Sequence, residues 1–213
     1  MLVLGLDPSL TNFGWALHRP LATDLTQRLV ARGRFQTPSK MQFVDRYVQL
    51  REELSNLVEE YSPDVVGVES PVFKEMFSEG MYALFVYSNE ALKRHHKDVA
   101  FFTPMQIKAL ARELLGRPKG WKMEKPDMVE AAGLDTGVSK WNHNEADAYL
   151  VAKTAGRFWQ FFNGSLPENH LTDSEYKLFC LIHQFKRGKK AGKQAFKGMV
   201  FREEDRFFLW SQT

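Results

Sequence analysis

Cysteine is almost absent: Cys180 is the only one in 213 residues. That excludes an internal disulfide and a multi-cysteine zinc site, and it suits a reducing, cytoplasmic compartment. Long apolar runs are missing as well. Nothing approaches the ~20 consecutive apolar residues of a membrane-spanning helix, so no membrane partner is expected. The opening stretch MLVLGLDPSL has no basic segment and meets an acid at once, so no secretory leader is expected. His18, His95, His96, His143, His170 and His183 show no metal-ligand spacing, and there is no internal repeat. A net charge of +3 is too small to dictate an anionic partner by itself.

What is present is enough apolar residue, 44% of the chain, for one full core with an appendage. Residues 2–6, 13–18 and 29–37 read as three strands joined by short polar links, which predicts an antiparallel meander. Residues 39–61 keep a three–four apolar spacing through Val44, Tyr47, Val48, Leu54, Leu57, Val58 and Tyr61, which predicts an amphipathic helix. VVGVE (65–69) and DVAFFTP (98–104) read as strands. Helices are expected at 74–96, 106–115, 127–133 and 146–161. Strands separated by helices imply parallel pairs joined by crossovers. The expected fold is therefore α/β, a five-stranded mixed sheet with strands 1–3 antiparallel and strands 1, 4 and 5 parallel, flanked by helices on both faces.

Composition changes near residue 164. A polar linker ends in the capping signal Thr172-Asp173-Ser174-Glu175. Then KRGKKAGKQAFK (186–197) carries six basic residues and no acid. We expect residues 1–163 to form the main domain and 164–213 a basic C-terminal extension. Such a run serves either as a solvated tail or as a nucleic-acid contact.

Asp7 and Glu69 share an unusual position, each closing an apolar strand and opening a loop. In an open α/β sheet, ligands sit outside the carboxyl ends of the strands. If strands 1 and 4 are parallel neighbours, the two acids converge, and one pKa rises unless a cation intervenes. A hard divalent ion with oxygen ligands is the natural remedy. Asp147 opens the last helix, with Asn144 three residues earlier on the same face and Glu145 between them. Each acid also has a plainer reading: an Asp-Pro turn for Asp7, a strand end for Glu69, and a helix cap with its partner for Asn144 and Asp147.

GLDPSLTNFGWAL, VVGVESPVF, TPMQIKALA with GWKMEKPDMVEAA, and NEADAYLVA occur in this order over residues 1–160. Together they resemble the motifs of the RuvC-like Holliday-junction resolvases, members of the ribonuclease H-like superfamily. The stretch beyond residue 164 shares only a vague likeness with extended, virus-borne relatives. The resemblance implies a crossover junction endodeoxyribonuclease that hydrolyses DNA phosphodiesters with two Mg2+ ions, Mn2+ being able to substitute. Asp7 would bridge the ions, Glu69 would hold one, and Asp147 with Asn144 or Glu145 the other. The sequence departs from the family pattern at Asn144, where Asp or His is usual; His143 is a further candidate for that role.

Lys108 and Lys125 match basic residues that the family places near the cleaved strand, Lys125 in a catalytic role. Lys74, Arg112, Lys119 and Lys122 are further candidates for phosphate contacts, as are Lys186, Arg187, Lys189 and Lys190 in the basic run. Phe73 and Phe77 either stack on an unpaired base or pack in the core. The apolar helix around Met81, Leu84, Phe85, Tyr87 and Leu92 either fills the core or forms a homodimer contact, which would match a two-fold symmetric four-way junction. Cys180 is expected to be a buried apolar residue. Three other readings remain at this stage: a junction-binding protein weakened by Asn144, a nuclease for other branched DNA, and an ATPase of the actin or sugar-kinase type. The last lacks a second Gly-rich phosphate motif.

Overall fold

The computed structural model describes residues 1–70 and 79–180, together with the backbone of four short strands beyond them. Two compact units divide the chain, Met1–Gly156 and Arg157–Thr213. In the first, β1 (Val3–Asp7), β2 (Asn12–His18) and β3 (Leu29–Gln36) form the expected meander. Helix α1 (Phe43–Tyr61) leads to β4 (Val65–Glu69), α2 (Glu79–Arg94) to β5 (Asp98–Phe102). The strand order is β3-β2-β1-β4-β5, with β1, β4 and β5 parallel and β2 antiparallel to both neighbours. The predicted sheet is the observed one.

The two faces of the sheet are filled differently. Leu4, Leu6, Val66 and Val68 point to a fully buried apolar core shared with Leu50, Leu54, Leu57 and Val58 of α1 and Leu84 and Leu92 of α2. The alternate residues of β1 and β4 face α5 (His143–Phe162). This helix lies directly on the sheet because glycine lets it. A Cβ at Gly5 would be driven into the carbonyl oxygen of Ala148, and one at Gly14 into that of Asn144. Only a residue without a side chain permits that approach.

Two further helices follow β5. Helix α3 (Pro104–Leu114) starts earlier than expected: Thr103 caps it in a reciprocal box with Gln106, and Pro104 sits in the first turn. Proline there opens the helix instead of closing the strand, because its missing N–H would have had no partner anyway. Helix α4 (Lys125–Thr136) ends at Gly137 in the left-handed conformation, φ 72°. It too extends beyond the predicted stretch, at both ends.

In the second unit, α6 (Asp173–Phe179) begins at the predicted cap, Thr172 and Glu175 closing a capping box. Arg157 grips the buried Glu175 at 2.7 and 2.8 Å, and Phe158, Phe161 and Phe179 pack together. Strands β6 (Ile182–Gln184) and β7 (Gln194–Phe196) pair antiparallel, as do β8 (Val200–Glu203) and β9 (Arg206–Leu209). These hairpins were not expected from the basic composition of the segment. Cys180 is free and half-buried; desolvation, then the Glu168 charge, pushes its thiol up to about 12. It is no nucleophile.

Candidate active site

Register brings the first two acids together. Val3 lies beside Val65 and Leu6 beside Val68 in the parallel β1–β4 ladder. One step further, Asp7 stands beside Glu69 on strands about 4.8 Å apart. Both carry the parity of Gly5 and so face α5. Gly14, over which the Asn144 backbone rests, is the residue paired with Asp7 across β1 and β2. The first turn of α5 is thereby fixed over the carboxyl ends of the strands, and Asp147, one turn on, joins the pair.

Electrostatics report the same convergence. Burial, then the charges of Glu69 and Asp147, holds the Asp7 carboxyl well above its ordinary value, with Lys125 opposing. Burial and then Asp147 push Glu69 up to about 7, against the pull of Lys108. Asp147 rises to about 6 through burial, with Lys108 and Lys125 opposing. Among the described residues none of the three carboxylates makes an ion pair; the two lysines act from a distance. The donor set is all oxygen, which fits a hard divalent cation and not a soft one. Among the described residues no three His, Cys, Asp or Glu side chains are gathered at ligand spacing, so the acids stand near one another without closing on a point.

The candidates for a fourth ligand differ in what they already do. Asn144 is buried and its amide nitrogen donates to the carbonyl of Asn12, which leaves Oδ1 for a cation. Glu145 pairs with Arg32 at 3.4 Å and Arg34 at 3.5 Å, and Arg32 also lies 4.0 Å from the centre of the Trp141 ring. His143 is lowered by burial and by the charges of Lys125 and Arg34. It therefore sits near Lys125 and Arg34.

Of the expected cationic residues, Lys108 and Lys125 are exposed and close enough to act on the acids. Arg112 lies one turn after Lys108 on α3. Lys119 is exposed, and Lys122 pairs with Glu124 at 2.6 Å. Phe73, Lys74, Phe77, Lys186, Arg187, Lys189 and Lys190 lie outside the described residues. In α2, Leu84 and Leu92 are core, while Met81 and Tyr87 pack partly against it. Phe85 packs against Phe101 with ring centroids 5.3 Å apart and planes tilted by 51°. Tyr82 and Val86 are 53% and 45% exposed.

Sequence reasoning passed over two supports of the site. Arg46, buried on α1, donates to the Leu10 carbonyl at 2.8 Å and to Thr37 Oγ1 at 2.9 Å, pinning the loop that follows Asp7. Asp135 is buried on α4 and bound by Arg28 and Lys153, each at 2.7 Å, and by the Tyr149 hydroxyl at 2.6 Å. It ties α4 to α5 two turns from Asp147. The signal for Arg46 was available: it falls on the apolar stripe of its helix. None marked Asp135.

The chain is similar to known proteins. The profile of the family "Crossover junction endodeoxyribonuclease RuvC" matches residues 3–152. The protein of that name from Alkaliphilus oremlandii is 26% identical over 167 residues, covering 76% of this chain and 98% of its own. Its counterpart from Halothermothrix orenii is 28% identical over 138 residues, covering 62% and 78%. The structure of Thermus thermophilus RuvC superposes with a TM-score of 0.63 at 19% identity, covering 76% of this chain and 96% of its own. The same protein in complex with Holliday junction substrate gives 0.64. At that identity the structural likeness is one of fold.

Proposed function

The chain belongs to the family of the crossover junction endodeoxyribonuclease RuvC, and from that premise we propose that it resolves four-way DNA junctions by metal-dependent phosphodiester hydrolysis. The single observation that carries the reading is the meeting of Asp7, Glu69 and Asp147 at the carboxyl ends of β1 and β4, each raised by burial, with Lys125 acting on Asp7, Lys108 on Glu69 and both on Asp147. Three acids kept near one another without ion pairs are costly unless a cation joins them. Mg2+ is the expected ion, two per site, with Mn2+ able to replace it. When bound, a pair of such ions activates a water and stabilises the leaving oxygen of an in-line displacement.

The residues of this chain divide the remaining work. Asp7 would serve as a ligand common to both ions; Glu69 would hold one, and Asp147 with the Oδ1 of Asn144 would hold the other. Glu145, engaged with Arg32 and Arg34, orients the start of α5 and stands as the alternative ligand. Lys125 and Lys108 neutralise the phosphate being cut and oppose the rise of the carboxylate pKa values. Lys119, Lys122 and Arg112 extend that positive surface along the DNA backbone, where salt-sensitive contacts supply most of the affinity. Lys74, Lys186, Arg187, Lys189 and Lys190 are proposed to add to it, with Phe73 or Phe77 at the branch point. Hydrolysis leaves a 5′-phosphate and a 3′-hydroxyl.

A four-way junction has two strands to cut, so a homodimer is the fitting assembly. Tyr82 and Val86, one turn apart on α2, offer the apolar strip for a second copy. Residues 164–213 serve as a basic extension that strengthens DNA binding, and the chain acts in the cytoplasm. Among the described residues no helix is long and apolar enough to cross a membrane.

The test is to titrate Mg2+ against labelled four-way, three-way, flap and linear DNA and to map the nicks. Paired, symmetric nicks in the four-way junction, absent in Asp7→Asn, are expected. Binding without cleavage at any Mg2+ or Mn2+ concentration would instead make the chain a junction-binding protein.

A further inference from the structure

The loop between α3 and α4, residues 115–124, holds an indole in the open. Trp121 is 45% exposed, although tryptophan gains more from burial than almost any other side chain. The ring is nevertheless fixed. Its Nε1–H donates to Asp127 Oδ1 at 3.3 Å, and the other oxygen of Asp127 accepts the Glu124 N–H at 2.8 Å. The Arg117 guanidinium lies 5.1 Å from the ring centroid and is anchored to both oxygens of Glu130 at 2.9 and 3.2 Å. Asp127 and Glu130 are three residues apart on α4, so both anchors come from one helix face. The backbone is held as well. Trp121 N–H donates to the Pro118 carbonyl at 3.0 Å, closing a tight turn in which Gly120 takes the left-handed position, φ 100°.

A side chain left exposed yet held from several directions is pre-organised for a ligand. The surroundings indicate which one. Arg117 and Lys122 are paired with Glu130 and Glu124, while the exposed Lys119 and Lys125 on either side of the ring are placed to meet an anionic backbone. Lys125, four residues after Trp121, reaches the acids of the active site. A flat indole backed by a guanidinium offers a π-face, which suits a base and not a phosphate. Inside intact duplex a base shows only its edges; its face is free where stacking is broken.

We propose that Trp121 is a stacking platform for a nucleobase that is unstacked at or beside the branch point of the DNA. The inference rests on the nuclease reading and adds to it a residue that selects branched over linear substrate. Arg117, Asp127 and Glu130 act through the ring as positioning residues.

The experiment uses the full chain carrying Asp7→Asn, so that binding is read without cleavage. The probe is a four-way junction with 2-aminopurine next to the branch point. Trp121→Ala is expected to weaken junction binding about tenfold, the equivalent of ~1.4 kcal/mol, while linear duplex binding changes by less than about twofold. Trp121→Phe keeps most of the junction affinity and of the 2-aminopurine signal, which separates stacking from misfolding. Equal losses on junction and duplex, or no loss on either, would overturn the proposal. Cleavage by the wild-type chain with unchanged binding by Trp121→Ala sinks this inference alone. Failure of the wild-type chain to bind or cut the junction at all sinks the nuclease reading with it.

Discussion

Two groups of buried acid lie against α5, one bound by Tyr149 and Lys153 and the other including Asp147, and they have opposite fates. At Asp135 burial works to raise the pKa, yet Lys153, the Tyr149 hydroxyl and Arg28 hold it below the ordinary value. That carboxylate is charged, fully bonded and 2% exposed. At the carboxyl ends of β1 and β4, Asp7, Glu69 and Asp147 are raised by burial without an ion pair to offset it. The first group satisfies itself and holds helices together. The second has no ion-pair partner among the described residues. Residue type does not separate a structural acid from a functional one; whether its partner is already built into the chain does.

That contrast breaks most visibly at Asp7. If it is the proposed shared ligand, replacing it with Asn lowers cleavage by at least about a thousandfold, ~4 kcal/mol of barrier, with junction binding retained. Residual cleavage within tenfold of wild type, in a quenched-flow assay, would remove Asp7 from the reaction. The matching change in the other group is Asp135→Ala, which leaves the partly exposed Arg28 and Lys153 and the buried Tyr149 hydroxyl without their partner. A loss of about 2–3 kcal/mol in unfolding free energy is expected, seen as a melting temperature lower by roughly 5–10 °C. An unchanged melting curve would deny the network its structural role.

A third test sets stability against pH. Glu69 is pushed up to about 7 in the folded chain from an ordinary 4.5. The folded state therefore keeps a proton that the unfolded chain releases, and stability falls as pH rises from about 4.5 to about 7. In metal-free protein at pH 8, Glu69→Gln should be more stable than wild type, on the order of 2 kcal/mol. Chemical denaturation at both pH values checks this; a destabilised variant at pH 8 would contradict it. The smallest effect is expected at Glu145. Its partners are Arg32 and Arg34, and partly exposed pairs contribute ~1 kcal/mol or less. Glu145→Gln should keep cleavage within about threefold. Complete loss, rescued by raising Mg2+, would instead make it a ligand.

The sheet was legible in the chain because each strand is short, apolar and bounded by turn residues, and because the helices between strands force parallel pairing. Asp7 and Glu69 stood out since an acid at the end of an apolar strand breaks the pattern of its own segment. Asp135 left no such mark. It lies near the end of a helix whose apolar and polar residues show little segregation, and its partners come from residues 28, 149 and 153, distances no local spacing reveals. Arg46 was legible in principle but was passed over as a cation on an apolar face. Trp121 was hidden in a loop whose lysines drew attention first. The start of α3 was misplaced because Pro104 was taken to end a strand, when the Thr103 side chain had already capped a helix.

The central claim is that acids from β1, β4 and α5 jointly bind divalent ions. Anomalous scattering from crystals soaked in Mn2+ tests it most directly. The account predicts density bounded by Asp7, Glu69 and Asp147, lost in Asp7→Asn. Manganese bound only elsewhere, with these three carboxylates in contact with none of it, would contradict it.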